Sequence, residues 1–311
     1  MARPILTARE AAGYLDALDN VLLLTHVRPD GDTIGSAAAL CRALRDCGQT
    51  AYLLPNPEIT ATYAPYAAPY WAPEGWQAEH IVSVDIADAS LLPENAQSYR
   101  DRIELAIDHH PSQTFFARNT CLEADSAACG EIVYEIIQHL TALTADIALP
   151  LYVAVSTDCG GFQYGNTTAR THRIAAALMD VVDVAAVNKT LFRTKSRVRL
   201  AMESRMVADM KLFDHQRVVV MEIPLSLRQE MQATDADIEE LSALPALVEG
   251  TDCGVTLREL RPGTVKVSVR TGPRVDACAL CRILGGGGHH AASGATVEGT
   301  LDEARMAVLA A

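Results

Sequence analysis

A short stretch near the N-terminus carries one imidazole and two carboxylates within seven residues. His26, Asp30 and Asp32 lie between an apolar, strand-like run and a helix-like run. Pro29 fixes the backbone φ angle and Gly31 relaxes it, so the intervening loop can turn sharply. Side chains of these types could bind a metal ion beyond the carboxyl end of a strand, where open α/β sheets hold their ligands. A solvated turn is the alternative for this triplet taken alone.

Three further apolar runs end abruptly in ionisable residues. They end at Asp85, at Asp108-His109-His110 and at Asp158. A carboxylate at the edge of a hydrophobic core is costly unless it is paired or bound to a metal ion. Strands that end at one edge of a sheet would bring all of these residues to the first loop. We therefore expect the four ends to converge, and metal binding becomes the better interpretation.

Length and composition predict a globular protein of two domains. The chain has 311 residues, of which 49% are hydrophobic, and its mean hydropathy is +0.09, so no bias toward disorder is evident. No apolar run approaches the roughly 18 residues of a membrane span. The N-terminus also lacks the apolar core of a signal peptide. We therefore expect a cytoplasmic protein without a membrane partner.

The charge of the chain restricts the nucleic acids that it could bind. Its formal net charge is −13, which argues against a long duplex, since duplex binding depends on many Lys and Arg contacts to phosphate. Short anionic substrates stay compatible where positive charge is local. One basic segment contains Lys189, Arg193, Lys195, Arg197, Arg199 and Arg205. A solvated helix face is its ordinary interpretation, and steering of phosphates toward a metal site is the alternative.

The eight cysteines are scattered, without the spacing of a disulfide framework. We expect reduced and mostly buried thiols, as is usual in the cytoplasm. Cys278 and Cys281 form the only Cys-x-x-Cys pair in the sequence. This pair lacks the second pair of ligands that a zinc site needs, so we assign it a structural role.

The order of predicted elements indicates an α/β fold with a doubly wound, mainly parallel sheet. Thr7 and Glu10 have the spacing of a capping box at the start of an amphipathic helix over residues 7–19. Periodicity does not distinguish helix from strand over residues 147–157. The remaining elements predicted for the first domain are strands at 21–24, 50–55, 80–86 and 103–109, helices at 33–47, 127–143 and 168–182, and irregular or short helical cover at 55–78.

The pattern changes after Val182. We predict a first domain over residues 1–185, a helical connector over 186–212 and a smaller mixed α/β domain over 213–311. The active site is expected in the cleft between the two domains.

The C-terminal part contains a hairpin signal and a glycine-rich loop. Predicted strands at 253–260 and 264–270 flank Arg261-Pro262-Gly263, which favours a β-hairpin, and a further strand is predicted at 217–223. The four glycines at 285–288 join a helix-like run to an alanine-rich one. Their bare backbone N–H groups could hold an anion, and a flexible linker is the alternative.

Taken together, these motifs resemble those of the DHH phosphoesterase superfamily with its DHH-associated C-terminal domain. The similarity spans nearly the whole chain and is most specific for the short bacterial nanoRNases that also act as phosphatases on 3′-phosphoadenosine 5′-phosphate. The resemblance implies a metal-dependent enzyme that hydrolyses short oligonucleotides to mononucleotides and converts 3′-phosphoadenosine 5′-phosphate to AMP. The matching residues, in chain order, are His26, Asp30, Asp32, Asp85, Asp108, His109, His110, Asp158, Gly286, Gly287, Gly288 and His289.

The resemblance also implies which residues bind metal. The implied ligands are His26, Asp30 and Asp85 for one divalent ion, and Asp32, Asp85, His109 and Asp158 for the other. Asp85 would bridge the two ions. Oxygen and imidazole ligands without thiolates favour Mn²⁺ first and Mg²⁺ next. Two such ions, about 3.5–4 Å apart, lower the pKa of a bridging water and neutralise phosphate oxygens during an in-line displacement.

The resemblance assigns the remaining residues to catalysis and substrate binding. Asp108 would support the site from behind the ligands, and His110 would face the scissile phosphate. His110 could stabilise charge on the phosphoryl group or donate a proton to the leaving oxygen. In the C-terminal domain, Arg270 and the loop from Gly286 to His289 would bind the other end of the substrate.

The predicted partners are short single-stranded oligonucleotides and phosphorylated nucleotides, and a homodimer is left open. The main alternative is a stand-alone phosphodiesterase for cyclic dinucleotides or their linear products, which would share every metal ligand. Family II inorganic pyrophosphatase resembles the first domain but lacks the glycine-rich histidine motif. Recombination exonucleases handle long strands, which suits an acidic chain poorly. A non-catalytic nucleotide-binding regulator would have lost metal ligands, and none is missing.

Overall fold

The chain folds as two compact units, Met1–Thr194 and Lys195–Ala311. The computed structural model describes residues 4–288 and 290–311. The boundary between the units falls within the segment predicted as a connector. Met202 and Met206, in the helix that follows the boundary, are buried in a hydrophobic cluster of the second unit. Among the described residues, no helix combines the length and the hydropathy that crossing a membrane requires.

The first unit alternates strands with helices. Its 3₁₀ helices are Ala68–Tyr70, Ala89–Leu91 and Glu94–Arg102, and a π-helical turn spans Lys189–Arg193. The other elements are α1 (Ala8–Asp16), β1 (Val21–Leu24), α2 (Gly31–Asp46), β2 (Ala51–Leu53), α3 (Ala64–Ala67), β3 (His80–Val84), β4 (Ile103–Asp108), β5 (Asn119–Leu122), α4 (Cys129–Gln138), α5 (Ala145–Asp158), α6 (Ala169–Met179) and α7 (Ala185–Asn188).

The sheet of the first unit is parallel and has the strand order β2-β1-β3-β4-β5. The predicted α/β fold with a parallel sheet is thus confirmed. The chain leaves β1 toward β2 on one side and returns to β3 on the other, so the topological switch point lies between β1 and β3. Ligands of open α/β sheets bind outside the carboxyl ends of strands at this point. Strand β5 was not predicted.

The two faces of this sheet are covered differently. Val21 and Leu23 of β1 point into the main core, which is formed with α1, α2, α4 and α5. Leu22 and Leu24 point to the other face, into a smaller cluster with Ile86, Leu92 and residues of the 3₁₀ helices. The α-helices therefore cover mainly one face. Thr7 caps α1 in the predicted capping box with Glu10, which is confirmed.

The run that ends at Asp158, for which periodicity left helix and strand open, is a helix, α5, so a helix end and not a strand end carries Asp158. This helix packs against α2, α4 and α6, and an unbroken stretch from Pro150 to Ser156 is buried. A helix buried on all sides has no polar face, and its sequence therefore shows neither a helical nor a strand period.

Two glycines let α2 and α5 approach closely. A Cβ atom on Gly35 would lie 2.8 Å from the backbone nitrogen of Ala154 and would overlap the Pro150 carbonyl oxygen. A Cβ atom on Gly31 would overlap the side chain of Thr157. The close approach places the C-terminal end of α5 beside the N-terminal end of α2, and both ends carry predicted metal ligands.

The second unit is built around a mixed six-stranded sheet of order β10-β11-β9-β8-β7-β6. All strand pairs are antiparallel except β7 with β8. A 3₁₀ helix spans Glu239–Leu247. The other elements are α8 (Arg197–Ala208), β6 (Lys211–Phe213), β7 (Val218–Ile223), α9 (Leu225–Glu230), α10 (Asp235–Ile238), β8 (Cys253–Arg261), β9 (Thr264–Thr271), α11 (Ala277–Ile283), β10 (Gly287–Gly288), β11 (Ala292–Glu298) and α12 (Leu301–Ala310).

The hairpin predicted around Pro262 is confirmed, because β8 and β9 pair in antiparallel register on either side of it. The glycine-rich loop leads from α11 into the short strand β10, and the alanine-rich run that follows is strand β11. Gly288 has a φ of 147°, and a Cβ atom there would overlap Ser293 on the paired strand. Glycine is needed at this position so that two strands can approach.

We predict that Gly35→Ala destabilises the protein, because overpacking between α2 and α5 forces the two helices apart. The expected loss is about 1–3 kcal/mol in the free energy of unfolding, measured by urea denaturation. Gly13→Ala is the matched control, since Gly13 is exposed within α1 and a Cβ atom there has no neighbour within 4 Å. That variant should gain roughly 0.5–1 kcal/mol. Equal effects of the two substitutions would contradict this packing argument.

Candidate metal centre

The loop after β1 brings three predicted ligands to the carboxyl edge of the first sheet. Asp30 is the N-cap of α2, and its Oδ1 accepts a hydrogen bond from the backbone N–H of Asp32 at 3.0 Å. Arg28 adopts a left-handed φ of 50°, so the chain reverses sharply before the helix. The side-chain amide of Asn56 donates to the carbonyl oxygen of His26 at 2.8 Å. The loop is therefore held at both of its ends.

Asp85 follows β3 and divides its carboxylate between two sets of residues. Its Oδ2 lies 3.7 Å from Nε2 of His26, and its Oδ1 lies 3.6 Å from Nε2 of His109 and 3.6 Å from Nδ1 of His110. Asp85 is buried and has a left-handed φ of 61°, while its backbone N–H donates to the carbonyl of Ile107 at 2.8 Å. A strained backbone thus aims this side chain across the edge of the sheet.

Asp32 is buried, and backbone and hydroxyl donors hold it in place. Its Oδ1 accepts hydrogen bonds from the hydroxyl of Ser36 at 3.0 Å and from the N–H of Gly130 at 2.9 Å. Its Oδ2 accepts one from the N–H of Cys129 at 2.6 Å. Cys129 and Gly130 begin α4, and the N-terminal end of a helix favours a negative charge. The carboxylate is therefore fixed and stabilised by a helix other than its own.

Two histidines direct Nε2 toward these carboxylates. Nδ1 of His26 lies 2.8 Å from the carbonyl oxygen of Val27, and Nδ1 of His109 lies 3.1 Å from that of Ser126. A carbonyl oxygen only accepts, so each Nδ1 carries a proton and donates it. In the neutral ring the lone pair is then on Nε2, as metal-binding histidines require.

His110 is paired with a carboxylate behind the ligands. Its Nδ1 donates to Oδ1 of Asp108 at 2.7 Å, and Oδ2 of Asp108 accepts from the amide of Gln113 at 2.6 Å. Asp108 is fully buried, whereas about a third of the His110 side chain is exposed. Asp108 therefore fixes the orientation of the ring, and Nε2 of His110 is the atom left for another partner.

Asp158 joins the site from the C-terminal end of α5. Its Oδ2 lies 3.7 Å from Nε2 of His109, and the same Nε2 lies 3.8 Å from Oδ2 of Asp32. The side-chain amide of Asn166 donates to the carbonyl oxygen of Asp158 at 3.1 Å. A helix rather than a strand thus supplies this carboxylate.

The structure brings the six predicted metal ligands together in two groups. One contains His26, Asp30 and Asp85, and the other contains Asp32, His109 and Asp158; within each group one ligand atom per residue lies within 4.8 Å of the others. Asp85 links the groups, since it also clusters with His109 and His110.

The donor set fits divalent cations that prefer oxygen and imidazole nitrogen, such as Mn²⁺. Oδ1 of Asp85 is buried and has no hydrogen-bond partner within the described part of the chain. A buried polar atom of this kind needs a partner, and a cation between the groups would supply it.

The charges in the cluster shift the pKa values of several members. Burial and repulsion from Asp85 and Asp158 raise the pKa of Asp32 well above its usual value. Burial likewise raises the pKa of Asp158 to about 6. Burial opposes a charged imidazole at His26, but hydrogen bonds with Asp30 and Asp85 outweigh it and raise the pKa of His26 to about 10. The site therefore carries excess negative charge that attracts a cation.

The hydrogen bond with Asp108 is the main reason that the pKa of His110 rises to about 9, against the effect of burial. Burial alone would raise the pKa of Asp30. The hydrogen bond with His26 and the positive charge of His26 outweigh burial and lower the pKa of Asp30. The two residues therefore favour their charged forms around neutral pH.

The predicted substrate-binding residues lie in the second unit. Arg270 lies on β9 beside β11 and is half-buried. Its Nη1 donates to the carbonyl oxygen of Val269 at 3.1 Å. Gly287 and Gly288 form the exposed edge strand β10, and the N–H of Gly286 donates to the carbonyl of Cys281 at 2.8 Å. His289 lies outside the described residues. Their role in substrate binding stays a prediction.

The residues that hold the predicted ligands and Asp108 in place were not predicted from the sequence. Ser126, Gln113 and Asn166 accept from or donate to His109, Asp108 and Asp158, respectively. Each is an ordinary polar residue in a loop or turn, without a spacing motif that connects it to a ligand far away in the chain. Their only signal in the sequence is that Gln113 and Asn166 lie within ten residues of the predicted site residues Asp108 and Asp158.

We predict that Asp85→Asn removes most Mn²⁺ binding without weakening the fold. Asn tolerates the left-handed φ of this position, and the loss of a charge relieves repulsion in the buried cluster. Without added metal the melting temperature should stay equal or rise, whereas the increase caused by Mn²⁺ in the wild type should largely disappear. The control is Asp88→Asn, which preserves an N-cap three residues along the same loop. Mn²⁺ binding by Asp85→Asn equal to that of the wild type would exclude the linking role of Asp85.

Known proteins resemble this chain in sequence. Residues 20–155 match the model of the DHH family, N-terminal domain. The bifunctional oligoribonuclease and PAP phosphatase NrnA of Thermus thermophilus is 32% identical over 97% of this chain and 92% of its own. The Bacillus subtilis protein of the same name is 24% identical over 90% of both chains.

Solved structures show the same fold. An exopolyphosphatase-related protein of Bacteroides fragilis superposes with a TM-score of 0.87 at 21% identity, covering 97% of this chain and 95% of that one. RecJ of Thermus thermophilus, in complex with Mn²⁺, gives a TM-score of 0.52 at 13% identity, covering 99% of this chain and 55% of that one. These likenesses concern the fold alone. With a relative of 32% identity along almost the whole length, the chain belongs to the DHH family of phosphoesterases.

Proposed function

We propose that this protein hydrolyses short oligonucleotides to mononucleotides and converts 3′-phosphoadenosine 5′-phosphate to AMP. The observation that carries the proposal is the similarity to the Thermus thermophilus oligoribonuclease and PAP phosphatase, which is 32% identical and extends over both units rather than over the first unit alone. The second unit is the part that would distinguish substrates. A shared substrate class is therefore the simplest explanation of similarity along the full length.

We further propose that two divalent ions, Mn²⁺ before Mg²⁺, bind to the two groups of ligands. His26, Asp30 and Asp85 would hold one ion, and Asp32, His109, Asp158 and the same Asp85 would hold the other. When bound, such ions neutralise phosphate oxygens and lower the pKa of a nearby water molecule. Oδ1 of Asp85 is buried and has no hydrogen-bond partner among residues 4–288 and 290–311, which supports this assignment.

In this proposal His110 acts on the substrate and not on the metal. Its Nδ1 is engaged by Asp108 at 2.7 Å, so the ring can present only Nε2 to a phosphate. From that atom His110 would donate a hydrogen bond to a phosphoryl oxygen, or a proton to the leaving oxygen. Both ring nitrogens then carry a proton, and Asp108 stabilises this charged form and fixes the orientation of the ring.

We predict that His110→Ala retains Mn²⁺ but lowers kcat by roughly 10²–10⁴-fold, the usual effect of removing a positioned acid or charge stabiliser. Bound manganese and kcat should be measured on the same preparation. His139→Ala is the control, because His139 is exposed at the end of α4 and should behave like the wild type. If the His110 variant loses manganese in parallel with activity, His110 is a ligand and the proposed role is wrong.

The second unit would hold the part of the substrate that does not react. Arg270 offers a guanidinium for a phosphate or a base edge, and the backbone of Gly286–Gly288 can approach a ligand without side-chain obstruction. Contacts away from the reacting phosphate orient it, so their loss should reduce kcat/KM most for small substrates. Long strands should gain little binding energy from their additional phosphates, because a protein with a net charge of −13 offers few cationic contacts to them.

The test is a substrate panel with Mn²⁺: di- to pentanucleotides, 3′-phosphoadenosine 5′-phosphate, cyclic dinucleotides, pyrophosphate and a long single strand. We expect the highest kcat/KM for the shortest linear substrates. Arg270→Ala should reduce dinucleotide cleavage while sparing bis-p-nitrophenyl phosphate, which needs no second contact. Arg261→Ala, at the exposed end of the β8–β9 hairpin, is the control. A preference for cyclic dinucleotides or for the long strand would refute the proposed substrate class.

A further inference from the structure

We infer that Arg170 is a positioning residue for one of the two ligand groups, the one formed by Asp32, His109 and Asp158. It acts through the segment of residues 123–131, called the 123–131 turn below, which precedes and begins α4. The inference rests on the proposed function, because it concerns the ions that these groups would bind. No motif in the sequence draws attention to Arg170.

The 123–131 turn contacts two of the three members of this group directly. The carbonyl of Ser126 accepts from Nδ1 of His109 at 3.1 Å. The N–H groups of Cys129 and Gly130 donate to Asp32 at 2.6 and 2.9 Å. The turn therefore fixes a histidine ring through a carbonyl and a carboxylate through two amides.

The third member is reached through one intermediate residue. The side-chain amide of Asn166 donates to the carbonyl of Ala127 in the turn at 2.9 Å and to the carbonyl of Asp158 at 3.1 Å. A displacement of the turn would consequently move or release all three ligands of this group.

Arg170 anchors the turn from the first part of α6. Its Nη1 lies 2.8 Å from Oε2 of Glu123 and 3.2 Å from the hydroxyl of Ser126. Its Nη2 lies 2.7 Å from Oε1 of Glu135, and its Nε lies 3.8 Å from Oε2 of Glu131. One guanidinium therefore joins both ends of the turn to α4.

The charge of Arg170 is needed because three glutamates surround it. Glu131 is almost fully buried, and its Oε1 accepts from the hydroxyl of Thr171 at 2.6 Å. A buried carboxylate is tolerated when it is paired and hydrogen-bonded. Without Arg170, three acidic side chains would face one another without a counter-charge, and the turn would shift to separate them.

The other ligand group is held mainly by bonds outside this turn, although Cys129 Sγ shares the Ile107 carbonyl with the N–H of Asp85. His26 bonds to the carbonyl of Val27, Asp30 caps α2, and the N–H of Asp85 donates to Ile107. Within residues 4–288 and 290–311, no hydrogen bond joins the 123–131 turn to His26, Asp30 or Asp85. Loss of Arg170 should therefore affect the two ions unequally, which general destabilisation would not do.

The test is titration of the metal-free full-length protein with Mn²⁺ alone, by calorimetry and by electron paramagnetic resonance. The wild type should bind two ions whose spectra show coupling between neighbouring manganese ions. Arg170→Gln should bind one ion with nearly wild-type affinity and the second about 10–100-fold more weakly, the usual range for a residue that orients a metal ligand. At one equivalent, an uncoupled six-line spectrum is expected.

Two further variants separate positioning from folding. Arg170→Lys retains the charge but not the several contacts, and should recover part of the affinity for the second ion. Asn166→Ala removes the link to Asp158 and should also weaken only one ion, even if Arg170→Gln proves too unstable to purify. Arg173→Ala, exposed on the same helix, should match the wild type.

The possible outcomes distinguish failure of the positioning role of Arg170 from failure of the proposed metal centre. Selective weakening of one ion in the Arg170 and Asn166 variants supports the inference. Two ions in the wild type, with unchanged or equally weakened binding of both in these variants, would overturn it and leave the proposed function intact. Fewer than two ions in the wild type would overturn the proposed metal centre itself, and with it the positioning role.

Discussion

Mutual repulsion among buried carboxylates is the constraint on which the first unit depends. Asp32, Asp85 and Asp108 are all buried at one edge of a parallel sheet, and Asp30 and Asp158 lie beside them. Carboxylates in such a position are costly unless donors or cations compensate for them. The surrounding structure supplies donors for both oxygens of Asp32 and Asp108 and for one oxygen of Asp30, from the N-terminal ends of α2 and α4 and from the side chains of Ser36, His110 and Gln113.

At Asp85 the negative charge is only partly compensated by hydrogen-bond donors. Its backbone is held in a left-handed conformation, and one of its oxygens is buried without a hydrogen-bond partner among the described residues. The parallel sheet explains why this residue is central: Asp85 follows β3, next to the switch point of the strand order. Close packing of α5 on Gly31 and Gly35 then brings Asp158 to the same place. Backbone strain, helix packing and strand order thus serve one cluster of charge.

Much of this could be predicted from the sequence, because motifs and strand ends are local. The capping box at Thr7 and the runs that end at Asp85 and Asp108 follow from patterns of a few residues. Helix α5 could not be recognised, since burial on every side removes its period. Strand β11 was hidden because an alanine-rich run suits either helix or strand. The edge strand β10 could not be predicted because both of its residues are glycines, which are depleted in strands; they pair with Ser293 and Gly294.

The residues that orient the ligands escaped prediction for a different reason. Ser126, Asn166 and Arg170 act through hydrogen bonds to parts of the chain that only the fold brings near. Their types are common and their spacing to the ligands is irregular, so pattern alone gives them no weight. Candidate metal ligands can be proposed from chemistry and spacing, whereas the residues that hold them in place must be taken from the structure.

We propose that the carboxylate of Asp85 links two divalent ions. The most direct test is anomalous diffraction at the manganese edge from crystals of the protein grown with Mn²⁺. Two anomalous peaks are expected on either side of this carboxylate, one contacted by His26 and Asp30 and the other by Asp32, His109 and Asp158. A single peak, or two peaks of which one does not contact Asp85, would contradict it.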